Sequence, residues 1–375
     1  MKILIGADFV PTKSNAELFK SGAVQALIGE ELLSMLQGAQ YRIFNLEVPL
    51  TDTCTPIEKC GPALIASKAA VAGYKAVNVN LLTLANNHIM DQSAQGLHTT
   101  VKTLDENGIA HVGSGNTRQE AKEPYIFELD NKKIGIYACA EHEFSIAGEN
   151  IPGANPFDPL ESLDHIATLK TQCDYVIVLH HGGKEHYRYP SPNLQKVCRK
   201  MVEKGADLVI CQHTHCIGCE EKYLGGTIVY GQGNFLFDLN ESECWQTGLL
   251  VQVSDNFDIT YIPLVKRGNG VRLADEKEGR KILDAFYGRS AEIAQDGFVE
   301  NQYIKFAKEM LDQYLFSLSG MRRSFAYRVV NKLLCHRLEP WLLKRKYDVA
   351  RKRAVRNYIE CEAHRELLLS GLKQR

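Results

Sequence analysis

Short apolar runs alternate with amphipathic segments over the first two-thirds of the chain. The run at 206–210 has the length of a buried strand. The segments at 93–107 and 191–204 have helical spacing, and Gly108 and Gly205 stand where these helices would end. This alternation predicts α/β layers in which the polar residues at the strand ends share one edge.

The pattern changes toward the C-terminus. Residues 248–253 and 257–264 read as adjacent strands joined by Ser-Asp-Asn, which predicts a hairpin that closes one sheet. We therefore expect one α/β domain over 1–268 and a helical, basic extension over 269–375. Within the extension the pattern predicts helices at 276–287, 302–318, 325–338 and 341–369.

Composition indicates a folded protein with one large core, since 45% of the residues are hydrophobic and 24% are charged. The net charge of −1 hides an asymmetry, because 15 Lys/Arg and 5 Asp/Glu follow residue 320 (+10), leaving −11 before it. The chain enters a strand directly and lacks an apolar run of about 18 residues, so neither a signal peptide nor a spanning helix is predicted. Eleven scattered cysteines favour reduced thiols and a cytoplasmic location, with a position at the membrane surface as an alternative.

Nitrogen and oxygen ligands follow several of the predicted strands. His213 and His215 follow the run at 206–210, and two imidazoles at this spacing converge when a transition metal holds them. Four other predicted strands, at 2–7, 43–46, 77–85 and 175–179, are followed by Asp8, Glu47, the triplet 86–88 and His181. Such a set suits hydrolysis by two metals about 3.5–4 Å apart, which activate a water and clamp the reacting oxygens.

The order of these motifs resembles the CapA family of bacterial capsule synthesis proteins, named for poly-γ-glutamate capsules. The resemblance covers about residues 1–240. That family is in turn similar to the calcineurin-like metallophosphoesterases, which have a four-layer α/β/β/α sandwich and a two-metal site. The matching motifs are Gly6-Ala-Asp8, Asn45-Leu-Glu47-Val-Pro49, Ala85-Asn-Asn-His-Ile-Met-Asp91, His181-Gly-Gly-Lys-Glu185, His213-Thr-His215 and Tyr230-Gly-Gln-Gly-Asn-Phe-Leu-Phe-Asp238.

The resemblance implies a role for each motif residue. It places Asp8 and His215 on one divalent cation and makes Glu47 a bridge between two cations. The cofactor would be one or two ions of Mn, Fe or Zn. The remaining implied roles are Asn87, His181 and His213 as ligands of the other cation, His88 as proton donor, and Asp91 as the residue that orients His88.

The chain departs from the wider superfamily at three positions. Val10 stands where a second ligand of the Asp8 cation usually lies, so that cation would have fewer protein ligands. Glu47 replaces a bridging Asp, as it does across the CapA type, and Gln212 replaces a Gly.

Several residues also allow other interpretations. His180 competes with His181 as the ligand, and the spacing to Gly183 and Glu185 favours His181. The triplet 86–88 is also compatible with a simple turn. A Cys/His zinc knuckle formed by Cys211, Cys216 and Cys219 is a further alternative.

Other polar residues are predicted to support the site. Asn45 and Asn86 would hold the ligands in place, and Glu185 would contact a ligand histidine. Lys184 and Arg188 would meet an anionic substrate, phosphorylated or polymeric, although charges of this kind also serve solubility.

The basic segment 344–356 lies beside Trp341 on a predicted helix. It fits an anionic membrane surface or an acidic polymer, or else a solvated helix face that pairs with the acidic catalytic domain. Nucleic acid is not an expected partner, because no aromatic platform accompanies the charge.

The sequence thus predicts a metal-dependent hydrolase, of phosphoesterase type, in capsule, extracellular polysaccharide or poly-γ-glutamate biosynthesis. The alternative is a non-catalytic assembly or polymer-binding component that retains the metal scaffold.

Overall fold

The computed structural model describes residues 1–238, 241–320, 331–333 and 338–372. It divides into two compact units, Met1–Val299 and Glu300–Arg375. The first unit extends past residue 268, and the predicted domain boundary at 268/269 stays a prediction.

The first sheet of the Met1–Val299 unit has a parallel core flanked by antiparallel strands. Its strand order among the described residues is β16-β15-β14-β1-β2-β3-β4, with the short β13 parallel to the end of β1. Strands β1 to β4 run parallel, and the β14–β15 hairpin and β16 extend the sheet antiparallel. The strands are β1 Ile3–Val10, β2 Tyr41–Asn45, β3 Leu81–Thr83, β4 Ala110–Val112, β13 Leu236–Phe237, β14 Thr247–Val253, β15 Ile259–Arg267 and β16 Gly270–Leu273.

The second sheet has the order β11-β12-β10-β9-β7-β6. Its four inner strands run parallel, and β6 and β11 are antiparallel edges. The strands are β6 Tyr125–Leu129, β7 Lys132–Ala140, β9 Tyr175–His181, β10 Leu208–Gln212, β11 Glu220–Tyr223 and β12 Gly226–Val229; β5 Ser114–Gly115 and β8 Gly153–Ala154 form a separate small pair.

The side chains of the second sheet alternate between two cores, as the period of a strand requires. Ile177 and Leu179 join the large core shared with the first sheet. Val176 and Val178 pack instead in the core under two outer helices, with Leu169 among its members. Two stacked sheets, each covered outside by helices, confirm the predicted four-layer α/β/β/α sandwich.

Helices in the Met1–Val299 unit follow the predicted caps closely. The predicted helix at 191–204 is α8, and the Ser191 side chain caps it by accepting a hydrogen bond from the backbone N–H of Leu194 at 3.0 Å. The helices are α1 Ala16–Ser21, α2 Val24–Ile28, α3 Glu30–Gln37, α4 Val71–Ala76, α5 Ser93–Glu106, α6 Arg118–Ala121, α7 Ser162–Lys170, α8 Pro192–Glu203 and α9 Glu276–Ile293.

Two predicted strand ends differ from the structure. Strand β1 continues through Asp8 to Val10, because Phe9 and Val10 pair with β13. The run at 77–85 forms a strand only at Leu81–Thr83, since a turn follows α4 and places Asn78 at a φ of 59°. Both ligand-bearing segments nevertheless leave the sheet at the same edge.

The C-terminal extension is helical as predicted, but the predicted single helix at 341–369 is wrong. Asp348 begins a new helix by accepting a hydrogen bond from the backbone N–H of Arg351, and Cys361 has extended backbone. The described helices are α10 Phe298–Leu318, α11 Leu338–Lys346, α12 Val349–Glu360 and α13 Glu362–Leu372. The predicted helix at 325–338 falls almost entirely outside the described residues. Among the described residues, no helix is both long and apolar enough to cross a membrane.

Candidate metal centre

The predicted ligands come together where neighbouring parallel strands of the two sheets end. Asp8 lies near the end of β1, Glu47 two residues after β2, and Asn87 four residues after β3. His181 is the last residue of β9, and His213 directly follows β10. Because adjacent parallel strands deliver their carboxyl ends to one edge, distant segments supply one site.

One half of the site is formed by Asn87, Glu47 and His181. The Nε2 atom of His181 lies 3.0 Å from Oδ1 of Asn87 and 3.2 Å from Oε1 of Glu47. The His213 ring lies beside His181, with 4.7 Å between ring centroids. These are the four side chains assigned to one cation by the family resemblance.

The other half is formed by Asp8 and His215 on the opposite side of Glu47. Nδ1 of His215 lies 3.2 Å from Oδ2 of Asp8, and Nε2 lies 4.0 Å from Oε2 of Glu47. Ligand atoms of Glu47, His213 and His215 all lie within 4.8 Å of one another. The two Glu47 oxygens therefore face different halves of the site, as a bridging carboxylate would.

The donor set fits divalent cations. Glu47 is completely buried, and neither of its side-chain oxygens has a hydrogen-bond partner among the described residues. Oδ2 of Asp8 and Nδ1 of His213 are likewise buried and without such a partner there. A buried carboxylate without hydrogen-bond donors is costly unless a cation compensates it. Carboxylate, amide and imidazole ligands together suit Mn, Fe or Zn.

The His-x-His loop is held in an unfavourable backbone conformation. His213 and His215 have φ values of 93° and 50°, in the region that non-glycine residues rarely adopt. Beneath the loop, the amide of Gln212 donates to the carbonyl of Gly6 at 3.4 Å and to Oε1 of Gln232 at 3.2 Å. Gln212 thus ties the two sheets together below the site, and the strained loop aims both imidazoles into it.

The electrostatics keep the ligands in different protonation states in the metal-free protein. Burial alone would raise the pKa of Glu47, but His215 and His181 hold this pKa well below its usual range. Burial, and then the neighbouring His181, lowers the pKa of His213. Burial also opposes the charge of His215, but Glu47 and Asp8 outweigh it and raise the pKa of His215 to about 9.

Predicted supporting residues form a buried amide network. Asn45 donates through Nδ2 to Oδ1 of Asp8 at 2.6 Å, which fixes that carboxylate. The Asn45 oxygen accepts from Thr83 at 3.0 Å and from Asn86 at 3.2 Å. Asn86 also accepts from the backbone N–H of His88 at 3.1 Å, so it shapes the loop that carries Asn87. The sequence reading of Asn45 and Asn86 agrees with this arrangement.

The predicted His88–Asp91 pair is present next to Asn87, one of the candidate ligands. Nδ1 of His88 lies 2.5 Å from Oδ2 of Asp91. Asp91 is fully buried, whereas the His88 side chain is 14% exposed. The imidazole can therefore reach a substrate while the carboxylate holds it from behind.

Three predicted substrate or support residues lie apart from the ligands. Glu185 is exposed, and its contact is with Lys184 at 4.0 Å. The guanidinium of Arg188 donates to the carbonyl of Ile217 at 2.9 Å and to Glu243 at 2.6 Å. These contacts give Arg188 a structural role in the loop after His215, and its role toward a substrate stays a prediction.

The alternative roles of His180 and the cysteines find no support in the geometry. His180 points into the outer core, where its Nδ1 lies 3.5 Å from Sγ of Cys139 and burial lowers its pKa to about 4. Cys211 contacts Cys198 in that same core, 3.5 Å between sulfurs. Among the described residues, one group of His, Cys, Asp or Glu side chains has the spacing of a metal site, and this group contains no cysteine.

Sequence reasoning missed three contacts of the site. Lys59 reaches Asp91 from an irregular segment that carries no periodic signal. Asn234 was given no role by the sequence, and its Oδ1 lies 2.9 Å from Nδ1 of His215. Trp245 covers the same imidazole, with 4.5 Å between ring centroids. Only the Gly-x-Gly-Asn motif around Asn234 offered a sequence signal for these contacts.

Comparison with known proteins relates the chain to capsule biosynthesis. A family model described as "Bacterial capsule synthesis protein PGA_cap" matches residues 9–239. The PGA biosynthesis protein CapA of Bacillus subtilis (strain 168) is 31% identical over 179 residues, covering 47% of this chain and 47% of that protein. The capsule biosynthesis protein CapA of Bacillus anthracis is 30% identical over 181 residues, covering 47% of this chain and 44% of that protein. The chain spans about half the length of these curated relatives.

A solved structure described as a novel phosphatase from Mycoplasma pneumoniae is similar over 80% of this chain and 98% of its own. Its sequence identity is 16% and its TM-score is 0.45.

Proposed function

Since the chain belongs to the PGA_cap family of bacterial capsule synthesis proteins, we propose that it is a metal-dependent hydrolase of phosphoesterase type in capsule or poly-γ-glutamate biosynthesis. The observation that carries this proposal is the buried Glu47 carboxylate, which lies between two sets of ligands and lacks hydrogen-bond donors among the described residues. A structural role alone would not favour such an arrangement, because a buried carboxylate without hydrogen-bond donors costs free energy even when histidines lie beside it.

Each of these side chains has its own role in the proposed reaction. Asp8 and His215 would hold one cation, Asn87, His181 and His213 the other, and Glu47 both. Bound divalent cations would supply Lewis acidity toward a phosphoryl oxygen and lower the pKa of water. His88 would donate a proton to the leaving oxygen, and Asp91 keeps the imidazole oriented for that step.

The substrate class follows from charge. A site that would hold divalent cations beside the partly exposed His88 favours an anionic group, and a phosphodiester or phosphomonoester meets this requirement. An acyl carbon is the less favoured electrophile.

The proposal is tested by metal analysis and hydrolysis with the full chain. We expect co-purified or added Mn²⁺ to bind and to support hydrolysis of bis-p-nitrophenyl phosphate or p-nitrophenyl phosphate. His88→Ala should lower kcat by about 100-fold or more while metal content is kept, because general acid catalysis typically contributes at least that factor. The matched control is His98→Gln. His98 is an exposed histidine on helix α5 that contacts Asn116, and its replacement should leave full activity.

Equal inactivity of the unmodified protein and His88→Ala across a phosphoester panel, with metal retained, would contradict the hydrolase. That result would favour the alternative function, a non-catalytic capsule assembly or polymer-binding component that keeps the metal scaffold.

A further inference from the structure

Lys59 is a buried cation placed directly against the His88–Asp91 pair. Its side chain is 2% exposed, and its ammonium forms an ion pair with Oδ1 of Asp91. The same ammonium lies 3.1 Å from Nδ1 of His88 and sits over the ring of Phe144 at 5.2 Å from the centroid. A lysine this buried requires a compensating charge, which Asp91 supplies.

The segment that carries Lys59 is attached to Asp91 and to the next residue, Gln92, at several points. The backbone N–H of Leu64 donates to Oδ2 of Asp91 at 2.6 Å, and that of Ile57 donates to the Asp91 carbonyl at 3.1 Å. The backbone N–H of Thr55 donates to Gln92 at 2.7 Å, and Gln92 donates to the carbonyl of Leu64 at 2.9 Å. Residues 55–64 are thus held against Asp91 even without the ion pair.

The contacts of Asp91 leave little freedom to its carboxylate. Oδ1 accepts from Lys59, and Oδ2 accepts from Leu64 and faces Nδ1 of His88. The Lys59 ammonium and the Leu64 backbone therefore fix where the carboxylate meets the imidazole. Without the ammonium, Oδ1 would be a buried polar atom that has lost its donor, and the carboxylate would be held on one side only.

We infer that Lys59 is a positioning residue, whose ammonium fixes the Asp91 carboxylate and thereby the orientation of the His88 ring. This inference rests on the proposed hydrolase for its effect on turnover. Lys59 acts on the pair, since the polar contacts of its ammonium are with Asp91 and His88.

The first test is a double-mutant cycle with bis-p-nitrophenyl phosphate and Mn²⁺. We expect Lys59→Met to lower kcat about 10–100-fold, the usual loss when a partner that orients a functional histidine is removed, with KM and bound metal unchanged. The double variant Lys59→Met/Asp91→Asn should be no slower than Asp91→Asn alone, because both changes remove one interaction. Lys59→Arg should recover part of kcat.

Lys68→Met is the matched control, because Lys68 follows the same segment but is 61% exposed and lies 3.9 Å from Asp52. It should leave kcat unchanged. Losses that multiply in the double variant, or full activity of Lys59→Met, would overturn the inference.

The second test does not depend on turnover. In metal-free, ¹⁵N-histidine-labelled full chain at one fixed pH, the His88 ring nitrogens are identified by their loss in His88→Gln. We expect the unmodified protein, Lys59→Arg and Lys68→Met to give the same His88 ring signals, and Lys59→Met to broaden or split them, because the ring loses its fixed orientation. A single sharp set of His88 signals in a folded Lys59→Met would overturn the inference, even if the unmodified protein hydrolyses nothing and the proposed function fails by itself.

Discussion

At the scale of single residues, the candidate centre depends on a carboxylate that has no hydrogen-bond donor among the described residues. Glu47 is fully buried and reaches His181 with one oxygen and His215 with the other. An unsatisfied buried group costs about 1–3 kcal/mol, and more when it is charged. Cation binding would remove this cost, so metal and folding should be linked, with a metal-bound form that unfolds at higher temperature.

A residue-scale prediction concerns Asn45, which holds Asp8 by a 2.6 Å hydrogen bond. Asn45→Ala leaves the ligands in place but frees the Asp8 carboxylate, so we expect Mn²⁺ affinity to fall about 10–100-fold. Isothermal titration calorimetry measures this directly. Asn107→Ala, which removes an amide bonded to the carbonyl of Thr103 at the end of α5, is the control and should bind Mn²⁺ normally. Equal affinities for both variants would show that Asp8 needs no such support.

The candidate ligands could be predicted from sequence because strand ends mark them. Asp8, Glu47 and His213 each follow an apolar run, and the resemblance to a known family supplied their roles. Lys59 could not be predicted in this way, because its segment has neither strand nor helix periodicity and its position depends on hydrogen bonds to Asp91 and Gln92. Contacts made by irregular segments are fixed by tertiary packing, and a single sequence has no periodic pattern from which they could be predicted.

At the scale of elements, the ends of α5 and α8 were predicted to within one residue, whereas α9 was predicted to end at 287 and continues to Ile293. Helix α8 begins after Ser191 and ends before Gly205, where the φ of 108° requires glycine. The 341–369 segment was predicted as one helix because its composition favours helix throughout. The break at Asp348 arises from a capping hydrogen bond, a local competition that residue propensity does not reveal.

The element-scale prediction is that Ser191→Ala destabilises the Met1–Val299 unit. The variant removes the hydrogen bond to the backbone N–H of Leu194, and the loss of such a cap costs about 1 kcal/mol. Urea unfolding should show a lower midpoint with the same slope. Ser191→Asp keeps an acceptor at the cap and should retain the midpoint; a loss equal to that of Ser191→Ala would show that the cap is not the cause.

At the scale of the whole molecule, charge is divided unevenly along the chain. The residues after 320 carry +10 and those before carry −11. In the described part of the extension, Arg356 is the one residue of the 344–356 segment with a carboxylate partner, Glu360 at 2.8 Å. Trp341 is exposed beside Arg345, with the guanidinium 5.4 Å from the ring centroid. Unpaired cations next to an exposed tryptophan are typical of contact with an anionic lipid surface.

The corresponding prediction is that the full chain co-sediments with vesicles containing phosphatidylserine and not with phosphatidylcholine vesicles. Replacing Arg351, Lys352 and Arg353 by Glu should abolish the binding, and added salt should weaken it. The control replaces Arg280 and Lys281 on α9 by Glu and should bind as the unmodified protein does. If the protein binds neither kind of vesicle, the basic segment 344–356 is a solvated helix surface, as the alternative interpretation holds.

The alternation along β9 has a consequence for attempts to redesign this centre. His180 and His181 are neighbours, yet one lies in the outer core and the other between the sheets, because β9 is paired on both sides with β7 and β10. Deleting one residue within 175–179 would move His181 to the outer-core position that His180 now holds and take this candidate ligand away from Glu47, whereas inserting one residue would turn His180 toward Glu47 instead. Loop grafts placed after His181 therefore offer a safer route to new specificity than changes of strand length.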